Sequence, residues 1–128
     1  MLIDKGVFEF VERAKVIKQT HPDVEFWLVG DIDPGNHGSL TSQQLQDWAT
    51  LGVIKWLGYR NDVPDILKQC HIVCLSSYRE GFGKVFVEAG ATQRAVVATN
   101  VLGCSTMTNC TLKWPQKVAG VRKMSFHP

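Results

Sequence analysis

Ile72-Val73-Cys74-Leu75 and Ala95-Val96-Val97-Ala98-Thr99 are two short apolar runs, and the segment between them has a helical pattern from Lys84 to about Thr92. Runs of this length that are rich in β-branched residues are typical of buried strands. A strand–helix–strand order makes the two strands parallel, because the helix carries the chain back along the sheet. These residues therefore predict an α/β fold.

The same alternation extends toward the amino end of the chain. The patterns predict helices over about 6–20 and 41–50, strands over 24–29 and 53–57, and a helix that Asp62 caps with Pro64 in its first turn. Helices and apolar strands in strict alternation indicate a doubly wound, Rossmann-like parallel sheet that helices cover on both faces.

Composition narrows the class of protein. The chain has 128 residues, of which 45% are apolar and 20% charged, as expected for one soluble globular domain or part of a larger one. A net charge of +2 is too small to indicate nucleic-acid binding. No apolar stretch approaches the roughly 20 residues of a membrane helix, and the first residues lack a leader pattern, so we expect a cytoplasmic protein.

The cysteines and the charges are unevenly placed. Cys70, Cys74, Cys104 and Cys110 contain no Cys-x-x-Cys pair, which argues against a metal site or a disulfide framework. Residues 1–88 carry nine basic and twelve acidic side chains, whereas residues 89–128 carry five basic and no acidic ones. One interpretation is that the carboxyl-terminal stretch is a basic patch that binds phosphates or an anionic membrane surface. The other is that it is a tail outside the domain.

Ligands of doubly wound sheets bind beyond the carboxyl ends of the strands, where loops meet the amino ends of the following helices. The candidate loops are residues 30–38, 58–61 and 76–84. In the third loop, glycines allow main-chain N–H groups to approach an anion, and the helix that follows contributes positive potential. A phosphate bound at Gly81-Phe82-Gly83 fits this chemistry.

Two glutamates flank those glycines. Glu88 lies about 6 Å further along the helix axis than Lys84, and its carboxylate can accept hydrogen bonds from both hydroxyls of a ribose. Glu80 can accept hydroxyls of the group that the phosphate carries. The alternative is that Glu88 only favours the first turns of its helix and that Gly81 and Gly83 only shape a turn.

Four motifs occur in the order found in glycosyltransferase family four, the glycosyl transferases group 1 with a GT-B fold, and the chain resembles that family over residues 1–104. The order of the motifs is more specific than any single one. The motifs are Asp4-Lys5-Gly6-Val7, Phe26-Trp27-Leu28-Val29-Gly30-Asp31, Leu57-Gly58-Tyr59-Arg60-Asn61-Asp62-Val63 and Ser77-Tyr78-Arg79-Glu80-Gly81-Phe82-Gly83-Lys84-Val85-Phe86-Val87-Glu88-Ala89.

The resemblance implies part of the carboxyl-terminal, donor-binding domain of a retaining glycosyltransferase. Such enzymes transfer a sugar from a nucleotide diphosphate donor, generally without a metal or cofactor, and a UDP-sugar is the favoured donor. By resemblance, Glu80 faces the donor sugar, Glu88 binds the ribose and Lys5 neutralises the diphosphate. The backbone of Gly81, Phe82 and Gly83 would hold the sugar and phosphates, and Gly58 and Tyr59 would lie beside the base.

The chain departs from the family pattern in three places. The acceptor-binding amino-terminal domain, which would engage a polysaccharide or lipid-linked oligosaccharide, is missing, so we expect this chain alone to be inactive. A strand that usually precedes the Asp4 motif is also missing, which predicts low stability. Residues 105–128 form a divergent basic tail, for which the hypotheses are disorder or a shifted reading frame. In the full-length enzyme, peripheral membrane association is compatible with such acceptors.

Two other functions remain open at the level of sequence. A nucleotide-sugar epimerase shares the GT-B plan and uses water in place of an acceptor. If the chain is a non-catalytic, flavodoxin-like binding module, the order of the motifs is accidental and no nucleotide stabilises the protein.

Overall fold

The computed structural model describes residues 3–78 and 84–99. After a short 3₁₀ turn, Ile3–Lys5, four helices alternate with four strands, which confirms the predicted order. The helices are α1 (Val7–Thr20), α2 (Ser42–Thr50), α3 (Val63–Gln69) and α4 (Lys84–Ala91); the strands are β1 (Trp27–Leu28), β2 (Lys55–Trp56), β3 (Ile72–Leu75) and β4 (Ala95–Ala98).

The strands pair in parallel, as the sequence predicts. β1 pairs with β2, with Trp27 opposite Lys55, and β3 pairs with β4 from Ile72 opposite Ala95 to Leu75 opposite Ala98. The chain divides into two compact units between Asn61 and Asp62, so each parallel pair belongs to a different unit. Whether residues 1–104 form one domain with a separate tail stays a prediction, since residues 105–128 lie outside the described part.

The first unit is held by a core between helices and sheet. Its buried members come from α1, from α2 and the residue just before its N-cap, and from the residue just before β2; they are Val7, Val11, Leu40, Leu45 and Ile54. Aromatic side chains extend this core at its margin: Phe8 meets Trp48 edge to face with 5.4 Å between ring centroids, and Phe10 meets Phe26 at 5.8 Å. Such edge-to-face pairs add to the apolar burial of the rings.

Helix α2 begins where the sequence predicts it, because Thr41 forms a complete capping box. The Thr41 hydroxyl accepts the main-chain N–H of Gln44 at 3.3 Å, and the Gln44 side chain accepts the main-chain N–H of Thr41 at 3.0 Å. The box satisfies two N–H groups that the helix itself leaves without a partner. Asp62 is the N-cap of α3, as predicted, but its side chain makes no capping hydrogen bond.

The predicted buried strand over residues 24–29 is shorter and less buried than expected. The main-chain N–H of Val24 donates to His21 O at 3.2 Å, so this residue belongs to the turn after α1 and is exposed. Pairing with the second strand starts at Phe26, whose carbonyl accepts Lys55 N at 2.7 Å. The extent of the strand is therefore set by the partner strand rather than by the apolar run.

In the second unit, α3 and α4 both pack on the face of the sheet that carries Val73. The buried cluster there consists of Leu67, Val73 and Ala89. Ile72 and Cys74 alternate with Val73 along β3 and are exposed, so the described residues of this unit pack on the Val73 face of the strand pair. Cys70 and Cys74 are free thiols, and desolvation raises the pKa of each, although the Arg94 charge partly offsets this for Cys70.

Candidate functional site

Lys5 lies at the point where the 3₁₀ turn leads into α1. The next residue, Gly6, has φ of 64° and donates its main-chain N–H to Ile3 O at 2.9 Å. This left-handed conformation suits glycine, which has no Cβ to clash with the backbone. The exposed Lys5 thus precedes the amino end of a 14-residue helix, where a cation and the positive end of the helix dipole both favour an anion.

The loop after β1, residues 31–39, is folded by its own hydrogen bonds. Asp33 receives the main-chain N–H of Gly35 at 3.2 Å, and its own N–H donates to the hydroxyl of Ser39 at 2.9 Å. Further along the loop, Gly38 O accepts the main-chain N–H of Ile3 at 2.8 Å. This last bond ties the 3₁₀ turn that carries Lys5 to the loop at the carboxyl end of β1.

The exit of β2 is tied to the same loop. Gly30 donates its main-chain N–H to Gly58 O at 2.8 Å, and Gly30 O accepts the indole N–H of Trp56 at 2.9 Å. Gly58 has φ of 66°, which redirects the chain so that Tyr59 is 70% exposed. Hydrogen bonds therefore join the stretch after β1 to the Gly58–Tyr59 turn and to the Lys5 turn at one edge of the first unit. The carboxyl-end rule predicts the stretch after β1 and the Gly58–Tyr59 turn, whereas the prediction for Lys5 rests on the family resemblance.

Glu88 lies in the second unit, in the second turn of α4. Its side chain is half-buried, and its main-chain carbonyl accepts the N–H of Thr92 at 3.0 Å and the Thr92 hydroxyl at 2.9 Å. The main chain at Glu88 is thus fixed at the carboxyl end of the helix. The other predicted residues of this loop, Glu80, Gly81, Phe82 and Gly83, lie outside the described residues.

The sequence placed Ser77 in the candidate loop 76–84 but assigned no role to it or to Thr99. The Thr99 hydroxyl donates to Ser77 O at the carboxyl end of β3, and Ser77 is only 1% exposed. A bond between a side chain and a main-chain carbonyl 22 residues away leaves no periodic signal in a sequence. The sequence indicated only that a buried strand, residues 72–75, is followed by polar residues.

Within residues 3–78 and 84–99, the histidine, cysteine and acidic side chains nowhere form a group of three that could hold a metal ion. In that same part of the chain, none of the helices combines the length and the apolar character needed to cross a bilayer.

Two of the known proteins that the chain resembles are glycosyltransferases. Over 100 residues, the chain is 35% identical to the N,N'-diacetylbacillosaminyl-diphospho-undecaprenol alpha-1,3-N-acetylgalactosaminyltransferase of Campylobacter jejuni, which corresponds to 78% of this chain and 24% of that enzyme. It is 32% identical over 111 residues to the UDP-Gal:alpha-D-GlcNAc-diphosphoundecaprenol alpha-1,3-galactosyltransferase of Escherichia coli, covering 85% of this chain and 27% of the enzyme. The chain thus spans about a quarter of the length of these relatives.

Solved structures agree with these relatives. The crystal structure of Anabaena Alr3699/HepE in complex with UDP and glucose matches with a TM-score of 0.69 and 32% identity, over 83% of this chain and 29% of that one. A second crystal structure of the same protein, in complex with UDP-glucose, matches with a TM-score of 0.60 over 73% of this chain. The family model described as glycosyl transferases group 1 matches residues 2–116, and the chain belongs to that family.

Proposed function

We propose that this chain contributes the donor-binding part of a retaining glycosyltransferase that uses a nucleotide diphosphate sugar, with a UDP-sugar as the favoured donor. The observation that carries the proposal is the meeting of the Lys5 turn, the 31–39 loop and Tyr59 at the carboxyl edge of β1 and β2. The match to a protein crystallised with UDP-glucose supports the choice of donor.

Each group has a chemical task in this proposal. The exposed ring of Tyr59, beside Gly58, offers an apolar surface to the base. The Lys5 ammonium neutralises the diphosphate, whose negative charge grows as the bond between the anomeric carbon and the phosphate oxygen breaks. An acceptor oxygen then forms the new bond to that carbon. Because Lys5 acts through charge, its task needs placement and no proton transfer.

Glu88 and Glu80 are proposed to recognise the sugars of the donor, as the family resemblance implies. The Glu88 carboxylate accepts the ribose hydroxyls, and Glu80 faces the donor sugar, with the main chain of Gly81, Phe82 and Gly83 holding the phosphates. An ionised carboxylate suits a diol because it has two acceptor oxygens and no donor. The half-buried position of Glu88 supports this role, since partial exclusion of water strengthens a charge-assisted bond.

The acceptor is proposed to be a lipid-linked or polysaccharide glycan that binds to parts of the enzyme beyond this chain. Both curated relatives named above act on diphospho-undecaprenol-linked sugars. Transfer would therefore require the rest of a full-length enzyme, and the property to test on this chain is donor binding.

The test is thermal unfolding of the wild-type chain with UDP, GDP, ADP and the corresponding nucleotide sugars. A ligand at a hundred times its Kd stabilises the native state by about 2.7 kcal/mol, so a shift in Tm is readily measured. We expect UDP and UDP-sugars to raise the Tm most. No Tm change with any nucleotide on a folded sample would contradict the proposal and favour the non-catalytic binding module.

Glu88→Gln keeps the shape of the side chain and removes its charge. We expect it to weaken UDP binding about tenfold or more, since a hydrogen bond to a charged group contributes about 1.5–3 kcal/mol. Glu12→Gln is the matched control: Glu12 is an exposed helical glutamate that pairs with Lys15 three residues on, and its loss leaves UDP affinity unchanged. Equal affinities for Glu88→Gln and wild type would remove the ribose assignment alone.

A further inference from the structure

Hydrogen bonds beyond the parallel pairing with β4 hold the carboxyl end of β3. Pairing with β4 ends at Leu75 opposite Ala98, and Leu75 O accepts the main-chain N–H of Thr99 at 3.0 Å. Beyond this bond, the Thr99 hydroxyl donates to Ser77 O and lies 3.5 Å from Leu75 O. One threonine therefore contacts the partner strand at its last residue and again two residues further on.

This second contact lies where the chain leaves the sheet. Ser77 is 1% exposed, whereas the next residue, Tyr78, is 57% exposed, so the backbone passes from the interior to the surface within one residue. A carbonyl buried at such a point needs a donor, and the hydroxyl of Thr99 supplies it. The hydroxyl of Thr99 therefore contributes to fixing the direction in which the chain leaves β3.

We propose that Thr99 is a positioning residue for donor binding. Its hydroxyl fixes the main chain at Ser77, and Ser77 and Tyr78 lie at the carboxyl end of a parallel strand, the edge at which ligands of such sheets bind. The inference rests on the proposed function, because it concerns affinity for the same donor. Thr99 acts through Ser77 and has no assigned contact with the nucleotide.

The variant Thr99→Val removes the hydroxyl and keeps the shape and the β-branch. Loss of one neutral hydrogen bond changes an equilibrium by about three- to tenfold, and we expect UDP affinity, measured by calorimetric titration of the full chain, to fall within that range. Thr99→Ser retains the hydroxyl, so we expect its UDP affinity to stay within about twofold of wild type.

A matched control separates positioning from the general effect of removing a threonine hydroxyl. The hydroxyl of Thr20 also donates to a main-chain carbonyl, Ile17 O at 3.2 Å, at the carboxyl end of α1. Thr20 lies in the first unit, at a helix end that the proposed donor site does not use. We expect Thr20→Val to retain wild-type affinity for UDP.

Each outcome of these measurements supports or overturns the inference. Weaker binding by Thr99→Val alone supports the inference, whereas equal affinity of Thr99→Val and wild type, or an equal loss in Thr20→Val, overturns it and leaves the proposed function intact. Absence of UDP binding by wild type overturns both. Should Thr99→Val not fold, hydrogen exchange of the Ser77 and Tyr78 amides in wild type provides the test: slower exchange with UDP supports the inference, and unchanged exchange overturns it.

Discussion

Among the described residues, the two units differ in how side-chain packing and backbone pairing contribute. In the first unit, five clustered buried residues are surrounded by half-buried aromatic and aliphatic side chains, and the strands pair over two registers. In the described part of the second unit, the buried cluster has three members, Leu67, Val73 and Ala89, Ile66 and Phe86 are also buried, and the strands pair over four registers. The same alternation of helices and strands is thus held together by different interactions.

Truncation of one buried leucine in each unit tests this difference most strongly. Leu45 is fully buried in the larger cluster and Leu67 is 6% exposed in the smaller one. We expect Leu45→Ala to lower the free energy of unfolding by about 3–5 kcal/mol and Leu67→Ala by about 2–3 kcal/mol, because a cavity with more surrounding atoms loses more contacts. Urea unfolding measures both values.

Leu51→Ala is the control for this pair, because Leu51 is 72% exposed. Its effect on the free energy of unfolding should stay within about 0.5 kcal/mol. If Leu67→Ala proves as costly as Leu45→Ala, the two cores are equivalent and the comparison is wrong.

Replacing one glycine in each unit by alanine should change the stability of the protein in opposite directions. Gly58 has φ of 66°, so Gly58→Ala should cost about 1–2 kcal/mol of stability through backbone strain, although its added Cβ would meet no atom within 4 Å. Gly90 lies inside α4 with equally open surroundings and no positive φ, so Gly90→Ala should stabilise by about 0.5–1 kcal/mol. Thermal unfolding gives both signs, and a loss at Gly90 would contradict the helical geometry assigned to it.

The capping box of α2 is a smaller contribution that belongs to the first unit. Thr41→Ala removes both the hydroxyl that accepts Gln44 N and the pairing that holds the Gln44 side chain, so it should cost about 1 kcal/mol. Thr50→Ala, at the exposed carboxyl end of the same helix, should change the urea midpoint little. Equal midpoints for the two variants would show that the box does not stabilise the helix.

The smallest expected effect concerns the thiol of Cys74 in the second unit. Desolvation raises the pKa of this thiol in the folded chain, so the folded state holds its proton more tightly than the unfolded state. Stability should therefore be unaffected below the ordinary thiol pKa and should fall as the pH rises through and beyond it. Urea midpoints at pH 7 and pH 10 should drop more for wild type than for Cys74→Ala, and an equal drop would exclude this coupling.

Helix positions could be predicted well because their signals are local. Thr41 marks the start of α2, and Pro64 lies in the first turn of α3, as their residue types require. Strand extents could not be predicted in the same way, because pairing sets them: Val24 looks like a strand residue but is held in the turn after α1 by His21 O.

The candidate site shows the same division. The joining of the stretch after β1 to the Gly58–Tyr59 turn follows from the rule that loops converge at the carboxyl ends of parallel strands. The bond from Thr99 to Ser77 O could not be predicted, because it depends on how two strands distant in sequence end beside each other. The donor-binding roles of Lys5, Gly58, Tyr59, Glu80 and Glu88 stay predictions, as do those of Gly81, Phe82 and Gly83.

The bond from Gly30 N to Gly58 O has a practical consequence for protein engineering. It couples the conformations of two surface loops that are far apart in the sequence, so neither is an independent module. A chimera that receives the 31–39 loop from another member of the family should also receive the turn at 58–61 from the same source. Exchanging one without its counterpart would impose a mismatch at the shared amide, even where each segment suits its own strand.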